Sequence, residues 1–468
     1  MKRNFTHMIL GVFTFFITFT SCSCPEATPG LVYRYYSTTA EVVGIENVGV
    51  SSLVIPAYTR HGFFRKKYDV VSIEQSAFKD CDKLTSVKLP NSLQRIGSSA
   101  FACCAVLKEI NLPDGLHTIE DYAFNRCSSL SQIDIPQSVD HIGSYAFSSC
   151  TSLKKVSLPI SVSVLKNNLF EECTNLTEIE IPASVEQIES RVFSKCEKLN
   201  NVIIPNSVET IGNNAFEKCS SLTSIVLPEY LEVIPYSLFY GCTSLQQIEI
   251  PENVSSINGS AFCGCSSLTN VNIPYGVQTI ESSTFRACTS LKEITLPETI
   301  TRINSEAFYG CSSLVEIDIP EYVTEIGSRA FSECAILGRI SMNREVTYYR
   351  NTFENSPNVV LPNRDLTTFD EWVEWLKDVR FWTRMDGESV SVHFLDSFSG
   401  KYAFIDSNML EIVDWSILPN NRIRFLFVDC DMMRRGFALY YPMTIDAKNG
   451  EGTLRISGTF HLTTDKAL

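Results

Sequence analysis

Cysteine carries most of the potential chemistry in this chain. Seventeen are present, and twelve recur at a fixed spacing of 23 residues, from Cys81 and Cys104 to Cys311 and Cys334. Thiols can cross-link, ligate zinc or act as nucleophiles. Zinc takes four converging donors, usually with Cys-x-x-Cys spacing. Neither Cys103-Cys104 nor Cys263-Gly264-Cys265 supplies that pattern, and the chain has six histidines. A run of disulfides along the column would have to break the symmetry of the units and meet a specific torsion at each bond. The spacing therefore predicts free, buried thiols that behave as small apolar side chains. Cys103 and Cys263 fall outside the column, and each could bond a neighbouring cysteine. An enzyme would need a nucleophile, a base and oxyanion donors in a recognisable set. His393 and His461, the histidines of the last hundred residues, have no motif partner. No catalytic residue, metal or cofactor is expected.

The elements that hold this column repeat with it. Phe stands three residues before each column cysteine, at 78, 101, 124 and onward to 331, with no insertion. Leu follows Phe at six, Val or Ile at nine and an aliphatic at eleven, and then Pro from Pro90 to Pro320. Apolar residues at alternate positions read as a strand, and Pro stops it because it cannot donate to a ladder. Val or Leu comes three residues after Pro, Ile three after that, and then the Ala-Phe pair. One unit cannot bury this set alone. Stacked units would form parallel strands ~4.8 Å apart over a continuous core, ~55–60 Å long for twelve steps.

The pattern Cys-x-x-Leu-x-x-Ile-x-Leu-Pro-x-x-Val-x-x-Ile-x-x-x-Ala-Phe resembles the BspA-like leucine-rich repeats of bacterial surface proteins, over residues 31 to 362. The resemblance implies an α/β-type leucine-rich repeat solenoid, curved, with its strand sheet on the concave side. It also implies surface display and, for some members, binding of host matrix or plasma proteins.

On each strand, the positions eight and ten after Phe alternate with core positions and are expected to face outward. Ile203 and Val226 are neighbours on that face, bracketed by Glu180 and Glu249, with Glu178 in the adjoining column; farther on, Glu293, Glu316 and Asp318 gather three carboxylates beside Arg339. These eight residues other than Arg339 are the candidate binding residues. A solvated, variable sheet face would look similar. Calcium is disfavoured, because oxygen ligands from one flat face rarely close a shell of 6–8.

The N-terminus reads as a lipoprotein leader. Lys2 and Arg3 precede an apolar stretch from Ile9 to Phe19, which is shorter than the ~20 residues that span a bilayer. Phe19-Thr20-Ser21-Cys22 resembles a lipidation signal, with Cys22 as the acylated residue and Cys24 as a second candidate. The boundaries drawn are 1–21 leader, 22–30 linker, 31–77 N-terminal cap and first atypical repeat, 78–363 solenoid and 364–468 C-terminal domain. Within the cap, Ala57 to Asp69 is an insertion carrying Arg60, His61, Phe63, Phe64, Arg65, Lys66 and Lys67. A short hairpin protecting an open strand edge is expected there; the other reading is a local basic-aromatic contact site. At the far end, Asn343, Tyr349, an early Phe353 and Ser356 in the cysteine column mark an atypical last unit.

After Arg364 the repeat stops, and all four tryptophans follow. Thr368-Phe369-Asp370-Glu371 reads as a capping box opening a helix with Phe369, Trp372, Val373, Leu376 and Val379 on one face. Alternating segments at Arg422–Val428 and Thr453–Leu462 then suggest a small α+β, mostly antiparallel-β domain of five or six strands.

A formal charge of −14 argues against nucleic-acid binding, since phosphate backbones reward excess Lys and Arg. The expected function is that of a secreted, lipid-anchored, monomeric protein of the outer membrane or cell surface. It would bind a protein or glycoprotein ligand through the repeat face. The alternatives are a carbohydrate-binding or hydrolytic C-terminal domain with the solenoid as spacer, or a purely structural surface protein.

Overall fold

Most 23-residue units lay down two short parallel strands, because each has two places where a buried aliphatic sits in extended chain; at Val226 and Thr295 the first is reduced to single bridges. The computed structural model describes residues 27–342, 346–349 and 351–359, and seven further strands after residue 379. The first strand of each unit is the Val/Ile segment before Pro. Examples are Ser86–Lys88, Gln132–Asp134 and Glu178–Glu180. These examples pair in parallel with the next unit in a 23-residue register, as in Ser86↔Glu109 and Glu178↔Asn201. The second strand follows the Pro corner, as in Arg95–Ile96 and Thr118–Ile119, and forms its own parallel ladder. The sequence marks its buried Ile but gives no alternation from which to read a strand, so this second ladder was not foreseen.

The return leg corrects the α/β expectation. Among the described residues there is no helix. The Ala-Phe segment is instead a chain of tight turns. Its N–H groups bond alternately within the unit and to the next one. Ala100 N bonds Gly97 O and Ala102 N bonds Ser99 O, whereas Phe101 N bonds Ala123 O and Cys103 N bonds Asn125 O. The alternation follows from two left-handed residues flanking each Phe, such as Ser99 and Cys103 with φ of 54° and 62°. An α-helix would satisfy its own amides; this ribbon spends half of them on its neighbour and so ties unit to unit.

The core lies between the two ladders and the turn ribbon. The Phe rings stack in an unbroken file from Phe78 to Phe353, with neighbouring centroids between 5.2 Å (Phe308–Phe331) and 5.9 Å (Phe170–Phe193) apart. Phe353 closes the file although it comes one residue early. The cysteine column runs beside the rings, buried and free of disulfides; Cys103 and Cys263 are free thiols as well. Each thiol from Cys104 to Cys334 donates to the carbonyl of the preceding unit's Phe, as Cys104 Sγ does to Phe78 O at 3.2 Å.

The N-terminal cap adds two strands ahead of the second ladder. Leu31–Tyr35 pairs antiparallel with Thr39–Ile45, which pairs in parallel with the end of Lys66–Ile73. The expected hairpin forms between Tyr58–His61 and Lys66–Ile73. The ladder edge, however, is covered by Leu31–Tyr35 and Thr39–Ile45, not by this hairpin. The insertion lengthens the first step only, so that Ser52 pairs with Ser86 in the same face register.

In the C-terminal region, seven strands from Arg380–Met385 to His461–Leu462 form one antiparallel sheet in sequence order. The expected segment at 422–428 appears as strand Arg422–Asp429. The expected helix over 368–379 lies outside the described residues, as do Cys22, Cys24 and the expected leader.

Candidate binding face of the first strand ladder

The middle residue of each first strand points into the core, so its neighbours must face water. Ile179 and Val202 are buried, while Glu178, Glu180 and Ile203 beside them are exposed. Parallel pairing with no slip then turns chain positions into a straight row. Glu180 is in register with Ile203, Ile203 with Val226, and Val226 with Glu249. Ile203 keeps 66% and Val226 76% of its surface exposed. At the strand spacing of ~4.8 Å, the row from one glutamate to the other is about 14 Å long. An aliphatic pair therefore stands in open solvent between two carboxylates. Isolated exposed aliphatics are ordinary; two in register form a patch.

Other candidates are paired within the face itself. Glu178 lies opposite Asn201 and makes a 3.2 Å ion pair with Lys155 of the preceding unit. Glu316 faces Arg339 in register and lies 3.9 Å from its guanidinium. Asp318 pairs with Ser341, and Glu293 is exposed one unit earlier. The three carboxylates are thus spread along two rows, with Arg339 drawn to one of them. Among the described residues, no three His, Cys, Asp or Glu side chains converge to hold a metal ion.

The same two units that carry Ile203 and Val226 also form a bay that sequence reasoning missed. It has a volume of about 590 Å³ and is lined by Asn206 to Ile211 and by Tyr230 to Val233. Tyr230 and Val233 expose apolar surface to it, and Glu209 and Glu232 supply carboxylates. A signal for it exists in the sequence. Tyr230 occupies the column position where Ser138, Ser184 and Ser207 each donate a hydroxyl to a backbone carbonyl of the unit before. A large ring in place of a small serine cannot fit that inward position and turns outward.

A stack of strand-turn units around a continuous apolar core, with an outward-facing parallel ladder, defines a leucine-rich repeat solenoid. The family model for the BspA type leucine-rich repeat region matches residues 64–177, 163–291 and 255–371, and the chain belongs to that family. A leucine-rich repeat protein from Bacteroides ovatus is 33% identical, with a TM-score of 0.60, over 72% of this chain and 93% of that one. A protein from Faecalibacterium prausnitzii, described as a leucine rich cell surface protein, is 26% identical over 70% of this chain and 96% of its own, with a TM-score of 0.48. No match is found among curated proteins. Among the described residues, no helix is long and apolar enough to cross a membrane.

Proposed function

We propose that this protein is exported, held at the cell surface by a lipid on Cys22, and binds a host protein or glycoprotein in the manner of an adhesin. The contact is noncovalent and needs no cofactor. Its centre is Ile203 and Val226, its rim Glu180 and Glu249, and the neighbouring bay with Tyr230 receives a side chain of the partner. The observation that carries this reading is the register Glu180–Ile203–Val226–Glu249, which sets an apolar centre inside a charged rim. Interfaces concentrate their affinity in such a desolvated centre.

The test is a panel of purified host matrix and plasma proteins, assayed against the native chain and the double variant Ile203→Asp/Val226→Asp. Binding of one of them should weaken at least ten-fold in the variant while the thermal unfolding profile stays in place. Unchanged affinity for an identified ligand would remove this face from consideration. Cys22→Ser should abolish incorporation of labelled fatty acid and release the protein from the membrane fraction; labelling that persists would move the anchor to Cys24.

A further inference from the structure

The hairpin of the N-terminal cap leaves its two phenylalanines in water. Phe63 is 96% and Phe64 91% exposed, more than any other large apolar residue described. They sit together at the turn, ring centroids 5.4 Å apart and edge to face. The turn is a defined one. Gly62 and Arg65 have φ of 80° and 49°, and the Arg65 amide donates to the Gly62 carbonyl at 3.0 Å. Exposing two adjacent aromatic rings has a solvation cost, and a turn needs no aromatics to form.

The hairpin is layered from tip to base. Phe63 and Phe64 come first. The next cross-strand pair is His61 with Lys66, followed by Arg60 with Lys67. The first carboxylate is Asp69, paired with Tyr58 at the base and 3.0 Å from Lys67 Nζ. Successive pairs are ~3.4 Å apart, so the backbone of these cationic residues lies within about 7 Å of the aromatic tip, and the Lys66 and Lys67 ammonium groups reach back over the rings of Tyr68 and Tyr58. The hairpin is also stiffly mounted. His61 stacks on Tyr35 at 4.2 Å, Tyr35 meets Tyr68 edge to face at 5.0 Å, and Lys66 Nζ donates to the Ser37 carbonyl at 2.7 Å. The longer strand runs on into the body of the sheet.

We infer that this tip inserts into an anionic lipid surface. The order apolar, cationic, acidic reproduces the order of hydrocarbon, phosphate and water across the boundary of a bilayer. Phe63 and Phe64 would enter to the depth of ~5–10 Å that interfacial side chains reach, leaving Arg60, Arg65, Lys66 and Lys67 at the level of the phosphates. Charge complementarity decides the orientation. The chain as a whole carries −14, so an anionic surface repels the solenoid and accepts this basic end. A convex tip with the cations behind it, instead of around it, suits a fluid surface better than a preformed protein pocket. The inference is independent of the binding face on the first ladder, and it would fix the N-terminal end of the solenoid against the membrane.

The test uses the full chain with the photoreactive residue benzoylphenylalanine in place of Phe63, or, as a control, in place of Ile160, a 73% exposed residue on the solenoid. Each is irradiated with vesicles of phosphatidylcholine alone or with about one third phosphatidylglycerol. Lipid adducts at position 63 should be at least five-fold more abundant on the anionic vesicles, and Lys66→Glu/Lys67→Glu should reduce them to the neutral-vesicle level. The control position should yield almost none. Equal labelling at both positions, labelling indifferent to lipid charge, or adducts to a second copy of the chain instead of lipid would each overturn the proposal.

Discussion

The Ser356 hydroxyl donates to the Phe331 carbonyl at 2.7 Å, in the place where the units from Cys104 to Cys334 use a cysteine thiol. Cys334 Sγ, one unit earlier, donates to Phe308 O at 3.2 Å. The departure from the cysteine column in the last unit is thus conservative in hydrogen bonding. The hydroxyl makes a second bond as well, because Ser356 Oγ accepts the Cys334 amide at 3.0 Å. The column position asks for a small side chain with one donor aimed at the Phe carbonyl.

That requirement ranks substitutions in the middle of the column. Cys219→Ser keeps a donor toward Phe193 O, so it should cost only about 1 kcal/mol. Cys219→Leu adds volume against the ring file and should cost about 2–3 kcal/mol. Urea unfolding of both variants compares them directly, and equal midpoints would argue against a role for the donor.

Burial also makes these thiols poor acids, with a consequence at high pH. Loss of water around them pushes Cys150 and Cys242 up to about 12, and Cys334 likewise to about 12. Cys127, Cys173 and Cys219 move in the same direction for the same cause. In the unfolded chain a thiol titrates near ~8.5. The folded value is the higher one, so this contribution to stability is whole below pH ~8.5 and is lost as pH rises through the folded value. Above ~8.5 the unfolded chain releases protons that the folded chain keeps, and stability falls by up to about 1.4 kcal/mol per pH unit for each thiol. Tm measured from pH 7 to pH 10 should drop steeply over the upper half of that range; a flat profile would contradict the burial argument. Under native conditions at pH 7.5, maleimide should reach Cys103, which is only half-buried, before any column cysteine.

The left-handed residues beside each Phe predict a stabilising substitution. Ala287 has φ of 57° at the position that Gly241, Gly264 and Gly310 fill with φ of 71°, 76° and 71°. A Cβ in this conformation costs ~1–2 kcal/mol, and the greater freedom of glycine in the unfolded chain returns ~0.4–1 kcal/mol of that. Ala287→Gly should therefore stabilise by roughly 0.5 kcal/mol. Gly310→Val, which puts a branched side chain there, should destabilise by about 2 kcal/mol. Shifts of the opposite sign in thermal unfolding would show that the turn ribbon relaxes around these residues.

The cap is tied to the first regular unit by a buried carboxylate. Glu41 lies 3.0 Å from Arg34 and 3.2 Å from Arg95, and it accepts from Tyr36 Oη at 3.1 Å and Ser72 Oγ at 3.3 Å. Glu41→Ala leaves each arginine one further partner, Glu74 for Arg34 and Glu120 for Arg95. The cost should be about 2 kcal/mol, below the ~3–5 kcal/mol expected when a buried charge is orphaned. Hydrogen exchange should accelerate across 31–45 and leave the middle of the solenoid protected. Uniform acceleration along the chain would mean that the cap does not open on its own.

How far the sequence reaches is clear from particular residues. The core was legible, because Phe, Cys, Leu and Ile recur where burial demands them, and strand-face alternation around Ile179 or Val202 follows from local chain geometry. The hairpin was legible from the lengthened step between Pro56 and Val70. The absence of helices among the described residues was not, because left-handed turns at Tyr122 or Glu172 are made by residues with no such preference. They adopt it because the neighbouring unit offers carbonyls at the right height. The 23-residue step already set Arg339 beside Glu316, and the structure adds the distances, 3.9 Å for that pair and 3.2 Å for Glu178 with Lys155.

The sequence alone determined that this chain is a repeat, which residues it buries and that its column cysteines are structural thiols. Burial recurs with the repeat, so one unit states the rule for all. The tertiary structure decided what the surface offers. It opened the bay beside Tyr230 and left Phe63 and Phe64 projecting from the cap. Those outcomes depend on register between units and on which strands close the ladder edge. Both are fixed by hydrogen bonds between segments distant in the chain, which no local pattern records.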